Sequence, residues 1–238
     1  MLTPTVLPDY EAVSIAAALS LAARLESSPH ALLCLATGST PVRAYQIFAE
    51  HARRAPTLVR FMNVVKLDEW GGIPIDRPAT CESYLRKPLL DPLRLHSRYV
   101  GFASQPQNPS RECARIQNWL AVHGPIDTCV LGLGINGHLG FNEPADALQP
   151  HAHVARLSPE SLAHPMIQDE PVKPTFGLTL GMADILHSRR ILLLVSGAAK
   201  RAALQRLLDG PISTHFPASF LHLHPNVTLL TDTAAAPS

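Results

Sequence analysis

Along this chain, short apolar-rich runs alternate with longer stretches in which apolar residues recur at i, i+3 and i+4. The runs at 31–36, 61–67, 129–133, 191–195 and 226–231 have the length and composition of strands. The stretches at 9–26, 80–93 and 110–123 have the amphipathic spacing of helices, as do those that follow the turns at 37–41 and 196–200 and reach residues 53 and 208. Ser110 is a fitting helix cap and Gly124 a fitting stop. Shorter helices are expected over 181–187 and 216–222, and a strand over 151–157. Strands alternating with helices throughout predict an α/β fold, a doubly wound, mainly parallel sheet with helices on both faces and right-handed connections.

Open sheets of this kind bind ligands beyond the carboxyl ends of their strands, so the residues that follow each run matter most. After 129–133 comes a glycine-dense loop that places Asn136, His138, Asn142 and Glu143 within eight residues. A histidine and a carboxylate with amide neighbours suit general acid/base work. After 31–36 the chain reads Thr37, Gly38, Ser39, Thr40, Pro41 and enters a helix. Free backbone N–H groups and hydroxyls converge there on the helix dipole, which makes an anion cradle; the plainer alternative is that Thr40 only caps the helix. After 61–67 stand Asp68 and Glu69, beside Trp70 and two glycines. A carboxylate so placed can serve as a partly desolvated base. After 191–195 comes Ser196-Gly197-Ala198-Ala199-Lys200, and a lysine at a helix start opposes the dipole unless an anion lies between them.

Gly132, Gly134 and Gly137 also spell the dinucleotide fingerprint. That motif requires a helix directly after the third glycine. Pro144 and the Asn142-Glu143 pair before it are unsuited to one, so no nicotinamide or flavin is expected. A Walker phosphate loop is absent too, because the required G-x-x-x-x-G-K spacing does not occur.

Composition narrows the remaining classes. The length suits one domain, 1–238, with room for a small subsidiary layer. A formal charge of +1 gives no global attraction to nucleic acid or to an anionic membrane, so any anion site must be local. Cys34, Cys81, Cys113 and Cys129 are widely spaced, with no C-x-x-C pair, as in a reducing cytosol. With neither a signal-like start nor an apolar run of spanning length, a cytoplasmic location is expected. His151 and His153 lack a third ligand for a metal site. His215, His222 and His224 suit surface or interface positions.

Taken together, TGSTP at 37–41, LDEW at 67–70, GINGHLGFNEP at 134–144 and SGAAK at 196–200 resemble the hexosamine-6-phosphate deaminase/isomerase family, in order and over nearly the whole chain. Within it, KLDEW, TCESYL at 80–85, LQPHAHV at 148–154 and PASFLHLH at 217–224 look most like the galactosamine-6-phosphate branch; glucosamine-6-phosphate enzymes more often have DEY. The resemblance implies a Rossmann-like sheet and conversion of a 2-amino-2-deoxyhexose 6-phosphate to a ketohexose 6-phosphate plus ammonia, with no metal or organic cofactor. It implies Asp68 as enolisation base, His138 as ring-opening acid/base, Glu143 as its partner, and Gly38, Ser39, Thr40 and Lys200 as phosphate ligands. Two positions depart from the pattern. Many members have Asp where this chain has Asn136, which cannot titrate and is expected to orient His138. His164 stands where the glucosamine enzymes have a phosphate-binding arginine, a role that Lys173 could otherwise fill. The short carboxyl end resembles the non-allosteric members, and both a monomer and a homo-oligomer remain compatible. A 6-phosphogluconolactonase would lack FNEP, and a sugar-phosphate sensor would have no use for Asp68, His138 and Glu143.

Overall fold

A computed structural model describes residues 2–237. Seven parallel strands form the main sheet: β1 (Pro4–Leu7), β2 (Leu32–Leu35), β3 (Asn63–Lys66), β5 (Tyr99–Val100), β6 (Thr128–Gly132), β9 (Arg190–Val195) and β10 (Val227–Asp232). Their spatial order is β1-β10-β9-β6-β2-β3-β5. The chain therefore builds outward from β2 through β3 to β5, then returns to β6 and builds the other way through β9 and β10. The direction of winding reverses between β2 and β6, and a crevice at the carboxyl ends of such a pair is where doubly wound sheets bind ligands.

Both faces of the sheet are covered, and the strands show why their runs are apolar throughout. In β9, Ile191, Leu193 and Val195 enter one core while Leu192 and Leu194 enter the other, the two-residue alternation of an extended chain. Helices α1 (Tyr10–Ser27) and α2 (Ser39–Arg54) bury Ala17, Leu21, Tyr45 and Phe48 in the second core. Helix α4 (Pro109–His123) and α8 (Arg201–Asp209) bury Ile116, Leu204 and Leu207 in the first. No helix among the described residues is long and apolar enough to cross a membrane.

A second sheet forms the subsidiary layer. It consists of β4 (Asp68–Gly71), β8 (Phe176–Thr179) and β7 (His153–Ala155), in the order β4-β8-β7 and antiparallel throughout. The strand expected over 151–157 is thus only three residues long, and His151 falls outside it.

Several local expectations need correction. The cap of α4 is Asn108, whose Oδ1 accepts from the Arg111 N–H at 3.0 Å, because Pro109 occupies the first helical position, where its missing N–H is harmless. The helix expected over 80–93 breaks into α3 (Cys81–Leu85) and a π turn (Arg86–Leu90), since Pro88 cannot donate to an i−4 carbonyl. The stretch 216–222 is a 3-10 turn, Pro217–Leu223. Thr40 lies inside the first turn of α2; the capping position is Gly38, with no side-chain bond.

Candidate active site

The crevice between β2 and β6 is bordered by two turns of similar build. Gly38 ends the β2 side with φ 106°, and Gly197 ends the β9 side with φ 90°. Both lie in the left-handed region, where glycine alone is comfortable. Gly38 begins α2, flanked by exposed Ser39 and half-buried Thr40. Gly197 begins a 3-10 turn, Ala198–Lys200, which leads into α8. Lys200 therefore caps α8 instead of lying within its first turn. Its ammonium has no hydrogen-bond or ion-pair partner among the described residues, and burial lowers its pKa. A half-buried cation without a partner, beside the Gly197 turn, suits an anionic ligand. Thr37 lies deeper, against the Cys81 thiol.

The loop after β6 folds back on itself. The Gly134 N–H donates to the His138 carbonyl at 3.1 Å, and the Gly137 N–H to the Gly134 carbonyl at 3.0 Å. The His138 ring lies flat against Gly134, where a Cβ would sit 2.3 Å from its Cδ2. His138 Nδ1 faces Glu143 Oε2 at 3.3 Å, and Nε2 has no hydrogen-bond partner among the described residues. Asn136 does two jobs at once. Its Oδ1 accepts from the His138 N–H at 3.1 Å, and its Nδ2 donates to Glu143 Oε2 at 3.0 Å. An aspartate there could not donate to a carboxylate, so the amide locks the loop where an acid would repel Glu143. Asn142 is structural, with its Nδ2 donating to the Leu139 and Leu180 carbonyls at 2.8 and 2.9 Å.

Glu143 is also held from its other side. Its Oε1 accepts from the Ser161 hydroxyl and from the Ser158 N–H. Ser158 caps α5 (Pro159–Leu162), so a helix start faces this carboxylate. Burial would raise the Glu143 pKa, but His138, Ser161 and Asn136 together hold it down at about 2. Neither serine was singled out from sequence, although a Ser-Pro-x-Ser helix start is a recognisable cap.

Asp68 has the opposite environment. It opens β4 and pairs with Thr179 of β8, whose Oγ1 accepts from the Phe141 N–H at 3.3 Å, so it stands beside the His138 loop. Its Oδ1 is buried with no partner. Burial first, then the neighbouring Glu69 charge, push its pKa up to about 7 despite the opposing effect of Lys66. Glu69 points the other way on the strand and belongs to a buried network. It accepts from Lys66 Nζ at 2.6 Å and from the Trp70, Cys81 and Glu82 N–H groups at 2.8, 2.9 and 2.9 Å. Lys66 also donates to Glu82 Oε2 at 3.0 Å and to the Phe102 carbonyl at 3.1 Å. The Tyr99 hydroxyl donates to Glu82 as well. Sequence reading grouped Asp68 and Glu69 as one pair of acids. The structure separates them into one starved carboxylate and one saturated carboxylate, and the signal was Lys66, a charge inside an apolar run.

His164 caps α6 (Pro165–Gln168), with Nδ1 accepting from the Met166 N–H at 3.2 Å. Burial, then the charges of Lys200 and His138, lower its pKa. It therefore lies near both groups, in surroundings that disfavour its imidazolium form. Met166 on the same turn lies over Gly38, so His164 hangs above the cradle. Lys173 is occupied elsewhere, with Nζ donating to the Ile167 and Gln168 carbonyls at 2.7 Å each; it does not stand in for an arginine. His151 and His153 are tied to Asp184 and to the His151 carbonyl.

Residues 8–230 match the family described as glucosamine-6-phosphate isomerases/6-phosphogluconolactonase. The chain is 42% identical over 226 residues to AgaI of Escherichia coli (strain K12), provisionally named a deaminase, covering 94% of this chain and 90% of that one. It is 35% identical over 231 residues to the glucosamine-6-phosphate deaminase of Alkaliphilus metalliredigens (strain QYMF), covering 96% of each. Among solved structures, a monomeric glucosamine-6-phosphate deaminase superposes with a TM-score of 0.91 at 34% identity, covering 98% of both chains. Sequence and fold thus agree, and the chain belongs to the glucosamine-6-phosphate isomerase/6-phosphogluconolactonase family.

Proposed function

We propose that this protein, folded as one catalytic domain, isomerises and deaminates a 2-amino-2-deoxyhexose 6-phosphate without a metal ion or organic cofactor, with galactosamine 6-phosphate preferred. The observation that carries the reading is the opposite treatment of two carboxylates on one sheet edge. Glu143 is kept ionised beside a histidine, while Asp68 is desolvated and brought to about 7. Environments that push two titratable groups apart mark an acid/base pair at work.

The substrate phosphate is held by Lys200 and by the N–H groups and hydroxyls of Gly38, Ser39 and Thr40, with His164 above it. Thr37 supports the turn from below. His138, its Nδ1–H held by Glu143, takes the anomeric hydroxyl proton at Nε2 and delivers a proton to the ring oxygen, which opens the sugar. Asn136 positions both partners and carries no proton. In the open aldose, C2 lies next to a carbonyl and is acidic. Asp68 takes the C2 proton and returns it to C1, while one ammonium proton ends on O1. This leaves an iminium at C2; water adds there and ammonia departs. Each assisted proton transfer contributes on the order of 10² to 10⁴ in rate.

The galacto preference is supported by Trp70 in the LDEW segment, whose indole packs on Phe141 at 4.5 Å and faces His164 at 6.2 Å. Trp70 is buried in a small apolar cluster with Phe141, and the LDEW run that carries it is what resembles the galactosamine branch. The test is ammonia release from galactosamine 6-phosphate and glucosamine 6-phosphate side by side, with Asp68→Asn as control. Faster release from the galacto sugar, lost in the variant, is expected. Preference for the gluco sugar would reverse the epimer, and acid release from a phosphosugar lactone without ammonia release from either amine would overturn the activity.

A further inference from the structure

The amino-terminal edge of the main sheet, opposite the crevice, gathers arginines that the fold leaves unneutralised. Arg24 lies near the end of α1, Arg189 just before β9, and Arg190 opens β9. With Asn226 they line a cleft of about 220 Å³. Arg24 and Arg189 continue into an adjoining cavity of about 410 Å³ that also includes His30 and His123. A six-residue strand spans roughly 17 to 20 Å, so β9 alone separates this cleft from the Gly197 turn by that much.

Among the described residues one carboxylate serves the cluster, and it is already engaged. Asp127 accepts from Arg24 Nε and Nη2 at 2.7 and 2.5 Å, and from the Thr128 hydroxyl at 3.0 Å. Arg190 donates through Nη2 to the Ser20 hydroxyl at 2.8 Å, but its Nε is buried without a partner. Arg189 is exposed, and its guanidinium has no partner among the described residues. Three guanidiniums around one carboxylate leave a surplus of two positive charges. Burial and the Arg24 charge lower the Arg190 pKa, as expected for crowded cations. A buried N–H donor without an acceptor is unfavourable, and a bound acceptor would relieve it.

We infer that this cleft is a second anion site, built by Arg24, Arg189 and Arg190 for a phosphate dianion, either free or as a phosphomonoester. The surplus of two charges matches a dianion, whereas a carboxylate would leave one cation unmatched. Planar guanidinium forks are the side chains best shaped for phosphate oxygens. The site rests on residues outside the proposed active site, so it stands or falls separately from the deaminase reading.

The test is titration with inorganic phosphate by isothermal calorimetry. The proteins are the wild type, Lys200→Met, which weakens the cradle in the crevice, and the double variant Lys200→Met/Arg189→Ala. Because Arg189 is exposed and unpaired, its removal leaves folding intact, which far-ultraviolet circular dichroism checks. The expected result is one phosphate bound to Lys200→Met, with its Kd raised about tenfold or more in the double variant. Either loss of all binding in Lys200→Met or equal binding by the two variants would overturn the inference. Glucose 6-phosphate, which lacks the amine, distinguishes the source. Competition with phosphate in Lys200→Met assigns a phosphomonoester site, and phosphate binding without competition assigns a free-phosphate site; both support the dianion assignment.

Discussion

Replacing Asp68 by asparagine separates what this carboxylate does for the reaction from what it does to the fold. Its pKa rises from 3.8 to about 7 on folding, through burial and the Glu69 charge. A raised folded-state pKa means that the fold favours the neutral acid. The contribution is complete below pH 3.8, declines as pH rises, and is gone above about 7. Each unit of separation corresponds to about 1.4 kcal/mol, so ionised Asp68 weakens the fold by about 4 kcal/mol at pH 8 relative to its neutral form. Asparagine does not titrate. The stability of Asp68→Asn minus that of wild type should therefore increase by about 1.4 kcal/mol per pH unit through the interval and level off above pH 7. Between pH 5 and pH 8 the gain is about 3 kcal/mol. Urea unfolding at pH 5, 6, 7 and 8 reads this directly, and common titrations cancel between the two proteins. In parallel, ammonia release should fall by about 10² to 10⁴. A difference in stability that does not change with pH would refute the claim that Asp68 is starved of partners and near neutrality.

The other sites give predictions of different kinds. Glu143→Gln removes a carboxylate whose pKa falls from 4.5 to about 2; its stabilisation is present above 4.5 and lost as pH falls through 2, so the variant should be about 3 kcal/mol less stable at pH 7, a deficit that vanishes in acid unfolding measurements. Lys200→Met should raise KM about tenfold to a hundredfold with kcat nearly unchanged, because the phosphate is bound alike before and during reaction. Gly134→Ala puts a Cβ 2.3 Å from His138 Cδ2 and must displace the ring; kcat should fall about a hundredfold while the thermal midpoint changes little. Lys66→Met leaves Glu69 buried without its counter-charge, while Glu82 keeps Arg86, and should lower stability by about 3 to 5 kcal/mol in urea titrations.

The parallel sheet was legible because its strands are buried on both faces and write themselves as apolar runs, as β6 and β9 do. The glycine turns were legible because Gly38 and Gly197 sit where those runs end. β1, β5 and β8 were not, since edge or half-covered strands of two to four residues have no pattern distinct from a loop. Neither was the cap of α4, which proline at the first helical position moves from Ser110 to Asn108, nor the four-residue α5.

The pair Asp68 and Glu69 shows what the sequence leaves unresolved. Read along the sequence, residues 61–67 are a strand that ends in two acids, either of which could be a partly desolvated base. In the fold, β3 stops at Lys66, Leu67 donates its N–H to the Leu35 carbonyl at 3.1 Å, and the chain then leaves the parallel sheet to begin β4 of the antiparallel one. Leu67 belongs to neither strand, so the two-residue alternation that would place Lys66 on the side of Asp68 is broken at the junction. Lys66 and Glu69 meet at 2.6 Å in a network with Glu82 and Tyr99, and Asp68 is left buried with an unpaired oxygen. The junction between sheets thus makes one carboxylate inert and its neighbour basic. The contrast depends on Glu82, sixteen residues from Lys66, and on Thr179 of β8, neither of which local sequence can place. Motif matching identifies the acid, while the strand junction explains why that acid, and not the adjacent one, has the pKa of a base.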